Sequence, residues 1–519
     1  MCQAFFERFI RFPMQRVPHF FLQNLCAIGQ VLRKNIWIAL VFGFLYGACG
    51  GGDETAKLDV TALDGGSISW RTWSQRDSAR VLGRPILLFF YTQRSVWCRD
   101  LVARCFKNSE IARAIARYTL PIWVDTDQRP DLFERFGLGG VPSLSFLTPD
   151  GQWITGSTYL DPDDMIDLLR WVQILYDNPD RLVRLEEQRA ELKRRAELDK
   201  KKDPRPRIKP NAALLLRVRD SLKSVVKSGF DPGPEGLLAL AEVGIDSPLI
   251  NFAHSARRDT DGVYVLRVLT HRGPVIDAEK HMAVNAQLLR AFARVNLSRD
   301  LADAVLEQFA VSGDVLLGAG LAGFRDQAGN VLWDAEIYSG WNALAVSGLC
   351  AAFIETREAR FLDAGRRIFE AVKMRFIQDD SLFVHARSLN APRFLLDQVL
   401  IIRAALDLYE VQKREADLLF ARAHADRIMT VFADSSGALR DRMPEVDVAL
   451  SPAIDRWLPS GNGVAAQVFM RLFVHTQMPR YRDRAEAILT ALIGPNIDRI
   501  GYAGALNRAL ALFVRESEN

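Results

Sequence analysis

Two groups of residues in this 519-residue chain have the types and spacing to carry chemistry. The first is Ser95-Val96-Trp97-Cys98, directly after the apolar run Ile86–Tyr91. A thiol at a helix start, just past a buried strand, is a redox position. There the helix dipole and free N–H groups lower the pKa of an attacking thiol. A second thiol three residues on resolves the mixed disulfide. Here Ser95 holds the attacking place. Its hydroxyl is a far weaker nucleophile, and no histidine adjoins it as base. Dithiol exchange is therefore not expected, and Cys98 reads first as a small core residue. The alternative is a single-thiol role in which Cys98 holds a partner in a mixed disulfide. Val141-Pro142 reads as a cis-proline loop facing the motif, serving the fold. Cys98 and Cys105 lie seven residues apart on one expected helix, ~10 Å along its axis. A disulfide needs Cα atoms within about 7 Å, so these two should not pair.

The second group is dispersed over the C-terminal part. Glu279, Asp334, Glu336, Asp397 and Asp455 are candidate carboxylates, with His281 and His385 the nearest histidines. Sugar chemistry needs two carboxylates across a cavity, or an acid–base pair that includes histidine. Trp341 and Asn342 open an expected helix, and a tryptophan there would offer a sugar-stacking platform. Pro459–Gly463, with Ser460 and Asn462, is a helix-start loop whose N–H groups could hold a hydroxyl or an anion. Each of these residues has an equally simple role as a helix cap or buried hydrogen-bonding group. The expectation that separates the two roles is convergence at one mouth of a helical ring, around a concave pocket. The seven histidines are scattered without metal-ligand spacing, no glycine-rich phosphate loop precedes a helix, and no cofactor is implied.

The elements that would position these residues are legible as pattern. Over 68–178, strands and helices alternate. Pro85 precedes the strand Ile86–Tyr91, whose unbroken apolar character suits burial on both faces. Ser109 is placed to cap the next helix, and Leu120–Asp125 is a second buried strand. Two antiparallel strands follow around Pro149–Gly151, then a helix opened by Asp161 and Pro162. The order βαβ, hairpin, helix is the thioredoxin arrangement. Residues 179–210 turn sharply charged and read as a solvated linker helix, with Leu182, Leu185 and Leu192 on one side. From 211 to 519 helical periodicity dominates. Ten or more helices in paired succession predict an α/α solenoid or closed toroid, with no short sequence repeat evident.

Composition bounds the function classes. The chain is 49% hydrophobic with a net charge of +4, so a large core is affordable and a nucleic-acid partner is not implied. Arg33 and Lys34 precede an apolar run from Ile36 to Ala48 that is too short to span a bilayer but suits a signal-peptide core. The run ends in Leu45-Tyr46-Gly47-Ala48-Cys49, which resembles a bacterial lipoprotein signal. Residues 1–48 then read as a removed signal region, Cys49 as the lipidated first residue, and 49–67 as a flexible tether. The expected place is the bacterial cell envelope, on its periplasmic face, membrane-bound through the lipid. With Gly50 after the cysteine, the outer membrane is favoured where one exists. An uncleaved anchor or an ordinary signal peptide are the alternatives.

Several words together resemble one family, the spermatogenesis-associated thioredoxin-like proteins. They are VWCRDLV, VDTDQRPDLFERF, GGVPSLSFLTPDG and GSTYL, then EKHMAVNAQLL, WDAEIYSGWNALAVSGL, LDQVLIIRAALDLYE and PSGNGVAAQ, in order over about 68–515. The resemblance implies an α/β thioredoxin-like domain followed by an all-α (α/α) toroid of the six-hairpin glycosidase type. Where that family has Cys-His-Trp-Cys, this chain has Ser95 to Cys98. The family's His-Phe-Glu-Lys word appears as Asp277-Ala278-Glu279-Lys280, and its lysine two residues after Asp334 is Glu336. The expected role is binding of a carbohydrate or an envelope protein. A sugar isomerase, epimerase or glycosidase acting in the toroid is the alternative, and a single-thiol chaperone using Cys98 is the third reading.

Overall fold

The computed structural model describes residues 68–92, 95–178, 207–229, 231–255, 257–270, 273–311, 315–318, 336–387, 392–442, 453–455 and 458–518, with Asp180, Val183 and Glu187. Cys49 and the signal region, most of the charged linker, and Asp334 lie outside the described residues, as does the side chain of Glu279.

The first domain is a four-stranded sheet in the order β2-β1-β3-β4. Strand β1 (Ile86–Tyr91) runs parallel to β2 (Leu120–Asp125) and antiparallel to β3 (Ser143–Leu147), which pairs with β4 (Trp153–Ser157). All six residues of β1 are buried. Successive side chains of a strand point to opposite faces, so Leu87, Phe89 and Tyr91 enter one apolar cluster and Ile86, Leu88 and Phe90 another. Helices cover both faces. After the short α1 (Ser78–Leu82), α2 (Val96–Leu101) runs into a π-helical turn, Val102–Phe106. Next come α3 (Ser109–Tyr118), α4 (Pro130–Phe136) and α5 (Pro162–Tyr176). Asn108, not Ser109, caps α3: its Oδ1 accepts from the N–H groups of Glu110 and Ile111. The longer Asn side chain one residue upstream reaches donors that Ser109, already helical, cannot. Asp161 holds the N-cap position of α5 without a capping hydrogen bond, its carboxylate pairing instead with Arg104 at 2.8 Å.

The second domain contains twelve helices among the described residues: α6 (Ala212–Lys227), α7 (Gly233–Ala241), α8 (Ser247–Ala253), α9 (Met282–Phe292), α10 (Arg299–Phe309), α11 (Ser339–Thr356), α12 (Ala359–Phe376), α13 (Leu395–Gln412), α14 (Glu415–Val431), α15 (Gly461–Thr476), α16 (Pro479–Leu492) and α17 (Gly504–Glu518). The odd-numbered helices α7 to α17 pack side by side in chain order, and α17 returns to α7. This closes a six-membered inner ring. The even-numbered helices form an outer layer against it. Burial follows position: α11 is buried on every side over Ser339–Cys350, whereas α12 buries only one stripe, including Phe361, Leu362, Ile368, Phe369 and Val372. The ring closes where Gly504 lies so near the backbone of Gly236 that any Cβ would collide with it.

Helical periodicity alone missed one feature. Val265–Thr270 and Gly273–Lys280 form a two-stranded antiparallel hairpin, β5 and β6. The segment's β-branched residues favour strands, and alternation over so short a span is easily read as a connection.

Candidate functional site

The N-terminal ends of the inner helices are built by a recurring device. Near its start, an inner helix projects an amide side chain that bonds both the N–H and the C=O of one residue in the preceding loop. Asn285 does this to Tyr264, Asn342 to Leu317, Gln398 to Phe383 and Asn462 to Leu439, at 2.7–3.0 Å. Each loop residue also sits in a single antiparallel bridge, to Arg258, Ala310, Ile377 or Ala433. An amide carries both a donor and an acceptor, so one side chain satisfies two buried backbone groups and fixes the loop on the helix. Two expected ligand-binding residues, Asn342 and Asn462, are thereby taken up in structure.

Asp455 has a similar duty. Its Oδ1 accepts from Ser460 N–H at 2.8 Å and its Oδ2 from Ala505 N–H at 2.9 Å, joining the starts of α15 and α17. Burial pushes its carboxyl up to about 7 despite these two backbone bonds. Ser460 caps α15, its Oγ accepting from Gly463 N–H. Asp397 accepts from Gly340 N–H and faces His385. A Cβ on Gly340 would overlap the Asp397 carboxylate, so the close approach requires glycine.

His385 joins the domains. Its Nδ1 lies 2.8 Å from Asp397 Oδ2 and its Nε2 lies 2.8 Å from the Asp127 carbonyl oxygen in the loop after β2. Both partners are acceptors, so the ring is arranged to carry a proton on each nitrogen. Burial opposes that charge, but the Asp397 carboxylate and the Asp127 carbonyl outweigh it and raise the His385 pKa. Beside it, buried Asp131 at the start of α4 pairs with Arg129 at 2.8 Å and with toroid residue Arg442 at 3.2 Å.

These contacts hold the thioredoxin-like domain over the toroid mouth and leave a cavity of 360 Å³ between them. Thr92, Thr126, Phe133, Glu134 and the loop Gly139–Val141 line it from one side. Trp341, His385, Phe394–Asp397, Asp441, Ile454 and Leu458–Gly461 line it from the other. Trp341, Asp397 and Ser460 thus come together at one cavity, whereas Asn342, Asn462, Asp455 and Glu336 do not line it. Trp341 is only 3% exposed. The rings of His281 and Tyr338 lie 4.5 and 4.2 Å from it, so it offers little face for stacking.

The redox-like motif does not line this cavity. Ser95 caps α2, its Oγ accepting from Cys98 N–H at 3.3 Å. Cys98 is 3% exposed, and burial pushes its thiol up to about 11, more than the bonds to Ser95 and Thr92 bring it down. A site built for a thiolate would show the reverse. Cys98, Cys105 and Cys350 are all buried, free thiols. Trp97 is exposed and meets Tyr159 edge-on at 5.6 Å, and the Val141–Pro142 bond is cis. Among the described residues, no group of three or more His, Cys, Asp or Glu side chains could hold a metal ion, and no helix is long and apolar enough to cross a membrane.

The interdomain pairs were not readable as pairs. Asp131–Arg442 and His385–Asp127 link residues about 310 and 258 positions apart, and no local periodicity marks them. A signal was present for a different pair, inside the toroid: Arg403 interrupts the apolar run VLIIRAAL and meets Glu235 at 3.0 Å. A charge on an otherwise buried helix must have a buried partner.

The chain resembles known proteins mainly through its first domain. Residues 61–198 match the family described as "Thioredox_DsbH: Protein of unknown function, DUF255". The uncharacterized protein B0495.5 of Caenorhabditis elegans is 33% identical over 118 residues, covering 21% of this chain and 16% of that protein. Spermatogenesis-associated protein 20 of Homo sapiens is 31% identical over 107 residues, covering 19% and 14%. The match thus spans less than a fifth of either relative's length. Among solved structures, the GH76 alpha-mannanase BT2949 of Bacteroides thetaiotaomicron aligns with a TM-score of 0.39 at 14% identity, over 59% of this chain and 85% of that one. Residues 61–198 thus match the DsbH-type thioredoxin-like family of unknown function, and the described residues 68–178 within them carry the thioredoxin-like fold, here joined to an α/α toroid.

Proposed function

We propose that the chain is a lipid-anchored binding protein of the bacterial cell envelope whose thioredoxin-like domain no longer turns over disulfides and instead forms one wall of a carbohydrate-binding cleft. The observation that carries this reading is the 360 Å³ cavity lined from both domains. Its volume suits a small sugar, and its apolar walls carry a few polar groups, Thr92, Thr126 and Ser460 among them. A sugar ring needs that mixture, apolar faces and placed hydrogen bonds.

Binding is favoured over catalysis by how the carboxylates are used. Asp397, Asp455 and Asp131 each hold backbone N–H groups or cations of the fold. An acid–base pair needs groups able to exchange protons with a ligand. The buried, unactivated Cys98 likewise weighs against the single-thiol reading. The lipid anchor rests on the sequence around Cys49.

Titration calorimetry against a panel of neutral mono- and disaccharides tests the ligand class. A saturable sugar that is recovered unchanged supports binding, and conversion of the sugar supports the enzyme reading. No binding across the panel, with capture of an envelope protein instead, overturns the carbohydrate assignment. Cys49→Ser should release the protein from membranes or leave its precursor uncleaved, and mature membrane-bound variant would refute the anchor.

A further inference from the structure

The ring has a second mouth, where residues near the C-terminal ends of α9 and α13 meet the length of α17. A separate cavity of 710 Å³ opens there and shares no lining residue with the interdomain cleft. Beneath it lies a buried ion network. Arg403 and Arg508 reach Glu235 at 3.0 and 2.6 Å, Arg508 reaches Glu242 at 2.8 Å, and Arg471 reaches Asp407 and Glu410 at 2.7 and 2.9 Å. Those carboxylates are engaged by these three arginines, Asp407 through its Oδ1 alone. A fourth, Arg290, is left over. Its nearest carboxylate oxygen is that of Glu235 at 3.9 Å, beyond hydrogen-bonding distance, and its Nη1 is buried with no hydrogen-bond partner. Burial and the neighbouring Arg508 and Arg403 depress its guanidinium to about 9.

Two further arginines line the same cavity, Arg294 one turn beyond Arg290 and Arg219 from α6. Neither makes an ion pair among the described residues. Asn507, 4% exposed, also lines the cavity, and neither its Oδ1 nor its Nδ2 has a hydrogen-bond partner. It stands at the place in α17 that Asn285, Asn342 and Gln398 hold in their helices, but no loop hairpin occupies its amide. A buried guanidinium nitrogen and a buried amide without hydrogen-bond partners are costly unless something else satisfies them.

We propose that this second mouth binds a small organic anion, its carboxylate or phosphate held by Arg290, Arg294 and Arg219 and its uncharged part reaching Asn507. A guanidinium fork matches either oxyanion. The cavity is far larger than a bare inorganic ion, so the anion carries a body of several heavy atoms.

The test is titration calorimetry of the full chain at low ionic strength with glycerol phosphate, citrate and, as the neutral control, glycerol. None of these probes depends on the carbohydrate reading of the other cleft. Binding of either anion without binding of glycerol is the expected result, and which anion binds identifies the oxyanion. Arg290→Gln, and independently the rim variants Arg219→Gln and Arg294→Gln, should each weaken that affinity about tenfold or more, as loss of one charge-assisted hydrogen bond implies. The rim variants leave the buried network intact, so a folding defect in Arg290→Gln does not block the test. The proposal is overturned if neither anion binds tighter than about 10 mM, if glycerol binds equally well, or if the rim variants bind like the wild type.

Discussion

The imidazole of His385 stands between Asp397 of the toroid and the Asp127 carbonyl of the thioredoxin-like domain, 2.8 Å from each. One charged ring is thus a bolt between two domains that sequence order places far apart. A buried ion pair is not in itself strong evidence of stability, but removing one partner strands the other.

This bolt predicts a pH dependence. The folded-state pKa of His385 is raised, so its contribution is complete below the ordinary histidine value of about 6.5 and is lost as pH climbs through the folded value. Asp455, raised to about 7, acts in the same sense, because the native state holds that proton more tightly than the unfolded chain does. Urea midpoints should therefore fall from about pH 6 to about pH 9. His385→Gln should cost roughly 3–5 kcal/mol at pH 6 and flatten that slope, and Asp455→Asn should flatten it further. A wild-type midpoint that rises over this range would contradict both assignments.

The thiols give a second prediction. Cys98 is buried and its thiol is pushed up to about 11, so native protein should react slowly with iodoacetamide at pH 8 and quickly once unfolded. Insulin reduction should match a protein-free control. Ser95→Cys places a thiol at the capped start of α2, where attack is favoured, and should create measurable dithiol activity with Cys98. Wild-type turnover at a thioredoxin-like rate would contradict the loss of redox function.

The amide clamp gives a third. Asn342 satisfies the N–H and C=O of Leu317 at 2.9 and 3.0 Å in a fully buried setting. Asn342→Ala should cost roughly 2–6 kcal/mol, about 1–3 for each of the two backbone groups it strands. Ligand affinity at the cleft should change little, since Asn342 does not line it. A variant as stable as the wild type, but deficient in binding, would return Asn342 to the role of ligand residue.

The thioredoxin-like order was legible because β1 is apolar on both faces and its neighbours carry turn signals at fixed places. The paired helices were legible because inner helices such as Ser339–Thr356 are mostly apolar, whereas closure into a ring was implied only by the family resemblance. What periodicity could not carry were the relationships across distance. Asn285, Asn342, Gln398 and Asn462 follow Tyr264, Leu317, Phe383 and Leu439 by 21, 25, 15 and 23 residues. Loops of unequal length therefore hide the repeat. Asp397 and Ser460 could be suspected from their places at helix starts, but only the docked domain reveals the wall facing them. Asp334 and the side chain of Glu279 lie outside the described residues.

The central claim, that the cleft between the two domains holds the ligand, is most directly tested by filling it from either side. Val141 lines the cleft from the thioredoxin-like domain and Leu458 from the toroid, and both are partly exposed at the edge of a core, so a long charged side chain can extend from either into the cleft. Calorimetry of Val141→Arg and Leu458→Arg with a sugar that binds the wild type should show affinity reduced at least about tenfold in both, with thermal stability preserved. Wild-type affinity in both variants would contradict the account and place the ligand elsewhere on the molecule.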